Sequence, residues 1–331
     1  MLPSAELHVH IEGTLEAELV VDLARRNGIA LADPDAESLR ERYRFADLQE
    51  FLDVYYANIG VARTAEDFHD LGLAYFRRAN AAGIRHAEVF VDPQTHTANG
   101  IPLAAVFEGL SAARQEALVA WGLTSGLLLC FTRDRGADAA AQMLDDALPF
   151  RDQFLGVGLD SAELGYPPSL FRDVYARAAA EGLHRVAHAG EEAGPDYVWE
   201  ALDVLGVERV DHGNRALEDP DLVTRLRDDR IPLTVCPFSN VALHTGPASL
   251  AEHPLPVMLD EGLLVSVHSD DPAYFGGYVD DNVDALRDAL QLEPQTLALL
   301  AQNSITSSFA SPQRKAELLA ALAEESAHAL R

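Results

Sequence analysis

Short apolar runs recur along the chain, each followed by a stretch whose apolar residues return every three to four positions. The first kind predicts buried strands and the second amphipathic helices. A first strand is expected at Glu6–His10 and a second at His86–Val91. The long segment between them carries helical patterns at Glu16–Asn27, Leu48–Ile59 and Thr64–Ala82. Further strands are expected at Ser125–Phe131, Leu155–Asp160, Arg185–His188, Arg209–His212, Leu233–Cys236 and Leu264–His268. Helical patterns at Pro102–Val119, Ala137–Leu148, Ser169–Glu181, Asp196–Leu205, Asp219–Asp228 and Pro254–Asp260 separate them. Three more, at Asn282–Leu290, Gln295–Asn303 and Pro312–Ala329, follow the last strand. Eight strands alternating with helices predict an α/β (β/α)8 TIM barrel, with a helical insertion after strand 1 and extra C-terminal helices. The insertion is placed to cap the barrel mouth. An open doubly wound sheet is the alternative, but neither G-x-G-x-x-G after an early strand nor G-x-x-x-x-G-K-[ST] is present. Without internal repeats or an evident linker, residues 1–331 read as a single domain.

Composition narrows the partners. Hydrophobic content of 48% and charged content of 24% are ordinary for a soluble globular chain. The only two cysteines, Cys130 and Cys236, lie in apolar runs, too few for a disulfide framework and wrongly spaced for a zinc motif. A reducing, cytoplasmic setting is expected. No signal peptide is evident, and the longest apolar stretch, Trp121–Phe131, is about 11 residues, too short to span a bilayer. A net charge of −28 repels phosphate backbones, so nucleic acid is an unsuitable partner and a small, nearly neutral molecule a better one. The assembly state stays open, homo-oligomers included.

Candidate chemistry gathers where strands end, which in such barrels is where active sites lie. Strand 1 ends in His8-Val9-His10. Alternation puts both imidazoles on one face, about 7 Å apart along the strand, with Leu7, Val9 and Ile11 on the other. Strand 5 ends in His188-Ala189-Gly190-Glu191, strand 6 in Asp211-His212-Gly213 and strand 8 in Ser269-Asp270-Asp271-Pro272. His8, His10, His188 and Asp270 make a donor set of three nitrogens and one oxygen. It suits one Zn2+, with other first-row divalent ions as alternatives, and leaves room for a water acidified to near neutrality. His212 is left to take or orient that water's proton. Glu191, past a turn-permitting glycine, is a proton donor, and Asp271 a hydrogen-bond partner for substrate. The single lysine, Lys315, lies in the C-terminal tail, which argues against a two-metal centre bridged by a carboxylated lysine. P-C-x-x-C and G-x-S-x-G are both absent.

Taken together, HVHIEG, HAGE, DHG and SDDP resemble the adenosine/adenine deaminase family of the amidohydrolase superfamily, over residues 6 to about 280. The resemblance implies His8, His10, His188 and Asp270 as metal ligands and Glu191 as the acid at purine N1. It implies His212 as base or electrostatic partner of the metal hydroxide, and Asp271 as partner of purine N7. LHVHIEGT, FLDVYY, DPQTHT and SDDPAYFGGY are closer to the adenine-specific branch. Where adenosine deaminases carry an aspartate that meets the sugar, this chain has Glu12, one methylene longer. It would intrude on ribose space and reach the imidazole edge of a bare base, unless it or Thr14 only caps the next helix. The glycine whose amide meets purine N3 is missing from Asp160-Ser161-Ala162-Glu163, leaving the amide of Glu163 as substitute. His268 shares the strand face of Asp270 and reads as a satisfied neighbour. His96 belongs to a loop near the site, and Ser239 and Asn240 either touch the base or cap a loop. His69, His86, His184, His244, His253 and His328 read as surface or core residues.

The expected reaction is hydrolysis of adenine to hypoxanthine and ammonia. Adenosine or an N6-substituted adenine as substrate, and a metal-binding homologue without turnover, are the rival expectations.

Overall fold

The computed structural model describes residues 2–33 and 35–329, the side chains of residues 328 and 329 excepted; the expectation for His328 therefore lies outside the described residues. Eight parallel strands run in chain order: β1 (Ser4–Glu6), β2 (Ile84–Val91), β3 (Thr124–Thr132), β4 (Gly156–Asp160), β5 (His184–Ala189), β6 (Arg209–His212), β7 (Pro232–Val235) and β8 (Leu264–Val267). The seam between β8 and β1 is closed past the regular ladders. Val9 bridges Asp270, the His10 N–H donates to the Asp270 carbonyl, and the Asp270 N–H donates to the His8 carbonyl. The result is the (β/α)8 barrel that the alternation of strands and helices implies.

Two faces of each strand explain its composition. On β2, β3 and β5, Phe90, Leu128, Cys130 and Val186 fill the barrel interior. Leu127, Leu129 and Phe131 alternate with them and join the cluster shared with the surrounding helices. β1 is shorter than its apolar run suggests, ending at Glu6 rather than His10. The Leu7 N–H donates to the side-chain Nδ1 of His268 at 3.1 Å and not to a neighbouring strand's carbonyl. The alternation persists past that point: Leu7, Val9 and Ile11 are buried outward, while His8 and His10 face in.

The insertion after β1 becomes the roof. Asp47 caps helix Leu48–Ile59 by accepting the Glu50 N–H, and a Thr64/Asp67 capping box starts helix Ala65–Ala81. Leu48, Phe51, Leu52, Tyr55 and Ile59 form a separate apolar cluster with Leu243, Tyr274 and Phe275 from the far loops. This fixes the first helix across the mouth. At the opposite end, helix Pro294–Ser307 seals the floor: Ser304 Oγ accepts the Ala5 N–H at 3.0 Å, and Asn303 donates to the Val265 carbonyl at 2.8 Å. No helix among the described residues is long and apolar enough to cross a membrane.

Candidate active site

The ends of β1, β5, β6 and β8 converge under the roof helix. His10 Nε2 lies 3.2 Å from His188 Nε2 and 3.5 Å from Asp270 Oδ1, and His8 Nε2 is 3.3 Å from that same oxygen. Four donors at about 2.1 Å from a shared centre would stand roughly 3.4 Å apart, which these three separations match. The donor atoms that all lie within 4.8 Å of one another are those of His8, His188, His212 and Asp270, while His10 groups with Asp270 and Asp271. The tautomer of His8 agrees. Its Nδ1–H donates to Thr234 Oγ1 at 2.9 Å, and that hydroxyl donates to Asp211 Oδ1 at 2.9 Å. Nε2 is thereby left as a lone-pair donor, buried and without a hydrogen-bond partner. Asp160 Oδ2 stands 3.6 Å behind His10 Nδ1, and Arg133 donates to the His188 carbonyl at 3.1 Å. Phe90 packs edge-on beneath His8 and lies tilted under His10 and His188.

Two of the residues that turn the chain into the site are strained. His212 and Asp270 adopt left-handed φ of 64° and 62°, unusual for side chains other than glycine. Gly190, at φ 72°, makes the bend after His188 that brings Glu191 round; a Cβ there would meet Val198 Cγ2 at 2.7 Å. His212 Nε2 faces Glu191 Oε2 at 3.6 Å and Asp270 Oδ2 at 3.8 Å, with the Asn240 amide at its Nδ1.

Burial, reinforced by Asp270 and Glu163, pushes the Glu191 carboxyl well above the usual range, which keeps it protonated and able to donate. Burial lowers His212 to about 3, so it stays a neutral acceptor. Burial alone would raise Asp270, but the imidazoles of His8, His212 and His10 hold it well below the ordinary value.

A cavity open to solvent on one side, about 400 Å3 with its mouth included, lies above this cluster; it is lined by Asp92, Asp160, Asp271 and Glu191, with Leu48, Phe51, Leu52, Tyr55 and Tyr56 as its roof. Asp271 lies over Gly13, where any Cβ would fall 1.9 Å from its Oδ1.

Two residues, Glu163 and Glu12, take places different from a simple reading of the strand ends, whereas His268 is satisfied as expected. The Glu163 amide, expected to face substrate, donates to Glu192 Oε2 at 3.1 Å and is already engaged. The Glu163 side chain accepts the N–H groups of Gly190, Glu191, Glu192 and Ala193 at 2.7–3.1 Å. That correction makes Glu163 the anchor of the Glu191 loop. Glu12 is fully buried, and its Oε1 accepts from the Asp92 N–H at 3.0 Å and pairs with His96 Nε2 at 2.8 Å, behind the cavity wall. Neither Glu12 nor Thr14 caps a helix with its side chain. His268 is satisfied by Leu7 and by Ser266 Oγ at 2.8 Å. Lys315 is remote, donating to the Thr306 carbonyl.

Asp92, Asp160, Thr234 and Arg133 escaped sequence reasoning. For Asp92 a signal existed, since an acid directly before a proline at a strand end marks the start of a short helix. The other three depend on contacts across the barrel that no local pattern encodes.

Comparisons with known proteins agree with this geometry. The adenosine deaminase family model matches residues 3–325. An adenine deaminase of Streptomyces coelicolor is 58% identical over 308 residues, 93% of this chain and 90% of that protein. One from Rhodospirillum rubrum is 53% identical over 322 residues, 97% and 96% of the two chains. The crystal structure of an adenine deaminase from Arthrobacter aurescens superposes with a TM-score of 0.96 at 53% identity, covering 98% of this chain and 99% of that one. An amidohydrolase from Burkholderia ambifaria with bound Zn has a TM-score of 0.90 at 26% identity, covering 99% and 91%. The chain belongs to the adenosine deaminase family.

Proposed function

We propose that this chain is an adenine deaminase, hydrolysing adenine to hypoxanthine and ammonia. The observation that carries this reading is the convergence of His8, His10 and His188 on Asp270 at the strand ends, with His8 Nε2 and His10 Nε2 3.3 and 3.5 Å from one Asp270 oxygen, beside a buried, protonated Glu191. It is supported by identity above one half to adenine deaminases over nearly the whole chain.

His8, His10, His188 and Asp270 would hold one divalent ion, for which zinc suits the donor set. Bound there, such an ion supplies a water acidified to near neutrality. The protein does the rest. Asp270 Oδ2 and His212 Nε2, 3.8 Å apart, hold the attacking water's proton on one side of the ring. Glu191 gives its proton to purine N1, which weakens the ring's aromaticity and makes C6 accept the oxygen. The carbon at C6 becomes tetrahedral; the proton taken from water passes to the amine, which leaves as ammonia, and the remaining hydroxyl proton goes to Glu191 as C6=O forms, restoring the acid. Asp271 meets N7 and fixes the ring's rotation. The apolar roof of Leu48, Phe51, Leu52 and Tyr55 excludes bulk water, so each of these contacts acts at low dielectric.

The test is ammonia release from adenine by the zinc-loaded protein, followed together with the loss of purine absorbance. Faster turnover of adenosine than of adenine would overturn the substrate assignment.

A further inference from the structure

Asp92 stands at the head of helix Pro93–Ala98, where an aspartate ordinarily accepts the helix's free amides. Its side chain makes no such bond. It lines the cavity, is 2% exposed, and leaves Oδ1 with no partner. Its position is enforced from behind. Glu12 Oε1 takes both the Asp92 N–H and His96 Nε2 of the same helix, so Glu12 is a positioning residue that pins the helix start. Facing Asp92 from the roof is Tyr55, whose hydroxyl is also buried and unpartnered, with Asp92, Glu12 and Asp271 as its nearest charges. Asp160 lies beside Asp92, the two buried carboxyl groups close enough to share a proton, with the Cys130 thiol on the other side of Asp160. Buried polar atoms without protein partners are costly unless water or a ligand meets them.

We propose that Asp92 accepts the imidazole N–H of a free purine base, and that this contact sets the preference for bases over their N9-substituted derivatives. This rests on the deaminase reading above. With Glu191 at N1 and Asp271 at N7, the edge still unclaimed is the N3/N9 side; of its two nitrogens only N9 carries a hydrogen for an oxygen to accept, and Asp92 and Asp160 are the acids left to face it. A free base offers a hydrogen on its imidazole ring. An N9-substituted purine offers carbon at that position and pushes its substituent against Asp92, Tyr55 and Tyr56. A site built to take a hydrogen bond rejects the analogue lacking it far more strongly than an apolar pocket rejects an added methyl group.

The experiment compares kcat/KM for adenine and 9-methyladenine in the zinc-loaded protein and in Asp92→Ala and Asp92→Asn, with metal content and folding measured on each. The native protein should favour adenine by at least about 100-fold. Asp92→Ala should bring the two substrates to within about fivefold, and Asp92→Asn, which keeps a carbonyl acceptor, should fall between. A native ratio retained in Asp92→Ala overturns the proposal; if that variant does not fold, a native ratio in Asp92→Asn together with an unchanged KM for adenine does so. Metal lost in step with activity would also overturn it, by making Asp92 a cation ligand with His10 and Asp160. If the native protein releases no ammonia from adenine, the deaminase reading fails by itself. Calorimetric binding of hypoxanthine against 9-methylhypoxanthine then still decides the role of Asp92: equal affinities overturn it.

Discussion

Replacing Gly13 by alanine tests the packing on which the substrate pocket depends. Gly13 has no left-handed requirement; it is glycine because Asp271 occupies the space of a side chain. A Cβ there would lie 1.9 Å from Asp271 Oδ1, 2.6 Å from its Cγ and 2.7 Å from its Cα. The first two contacts could be escaped by rotating the carboxylate, but the third is backbone, so the segment Ser269–Pro272 must shift. Overpacking of this kind costs about 1–3 kcal/mol of stability. Moving Asp271, whose buried carboxyl is held protonated, also removes a neutral hydrogen bond to N7 of the bound base, worth about 0.5–1.5 kcal/mol. The second amount corresponds to a loss of roughly 2- to 13-fold in kcat/KM. Because Asp270 precedes Asp271, some of the shift reaches the carboxylate proposed above to hold the metal, and zinc content should fall below that of the native protein. The assay is kcat/KM on adenine with metal analysis and thermal melting of the same samples. A variant with native kcat/KM, metal content and melting temperature would refute both the placement of Asp271 and its contact with substrate.

Other outcomes follow from the same geometry. Glu191→Gln should keep its metal and lose about 10²–10⁴-fold in kcat, since the amide cannot supply the proton; substantial turnover would remove Glu191 from its role. Glu163→Gln leaves one neutral acceptor for four amides that now share a carboxylate. Its kcat should drop by about tenfold or more with metal content retained, and a native kcat would show that the Glu191 loop holds itself. His253 is buried with Nδ1 accepting the Leu255 N–H, and burial lowers its pKa to about 4. The unfolded chain binds a proton near pH 6.5 and the folded one only near 4, so its contribution is complete above pH 6.5 and is lost as pH falls towards 4, by about 3 kcal/mol. Denaturant melts of the native protein and of His253→Asn across pH 4–7 should therefore converge at the acid end; parallel curves would contradict this.

What could be read from the sequence was whatever depends on neighbours along the chain. The H-x-H pair needed only strand alternation, and the geometry keeps both rings on the inner face even though the ladder stops at Glu6. Glu191 needed only a glycine able to turn the chain after His188, and φ at Gly190 is positive. The short helices after β2, β7 and β8 were missed, although Asp92-Pro93, Cys236-Pro237 and Asp271-Pro272 each place proline at the first helical position. Each is too short for apolar periodicity to register, so capping chemistry was the signal available. Glu163 marks a firmer boundary. The sequence offered a role only to its backbone amide, at purine N3, and none to its carboxylate. Its carboxylate nevertheless closes on amides about thirty residues ahead, because β4 and β5 are adjacent in the sheet. Asp92 combines the two cases. The proline after it marks a helix start, but only the coordinates reveal that its carboxylate declines the cap and turns into the cavity. A buried carboxylate that forgoes a favourable local bond and faces the cavity is placed to meet a ligand, and the ring N–H of a free base is the one proposed above.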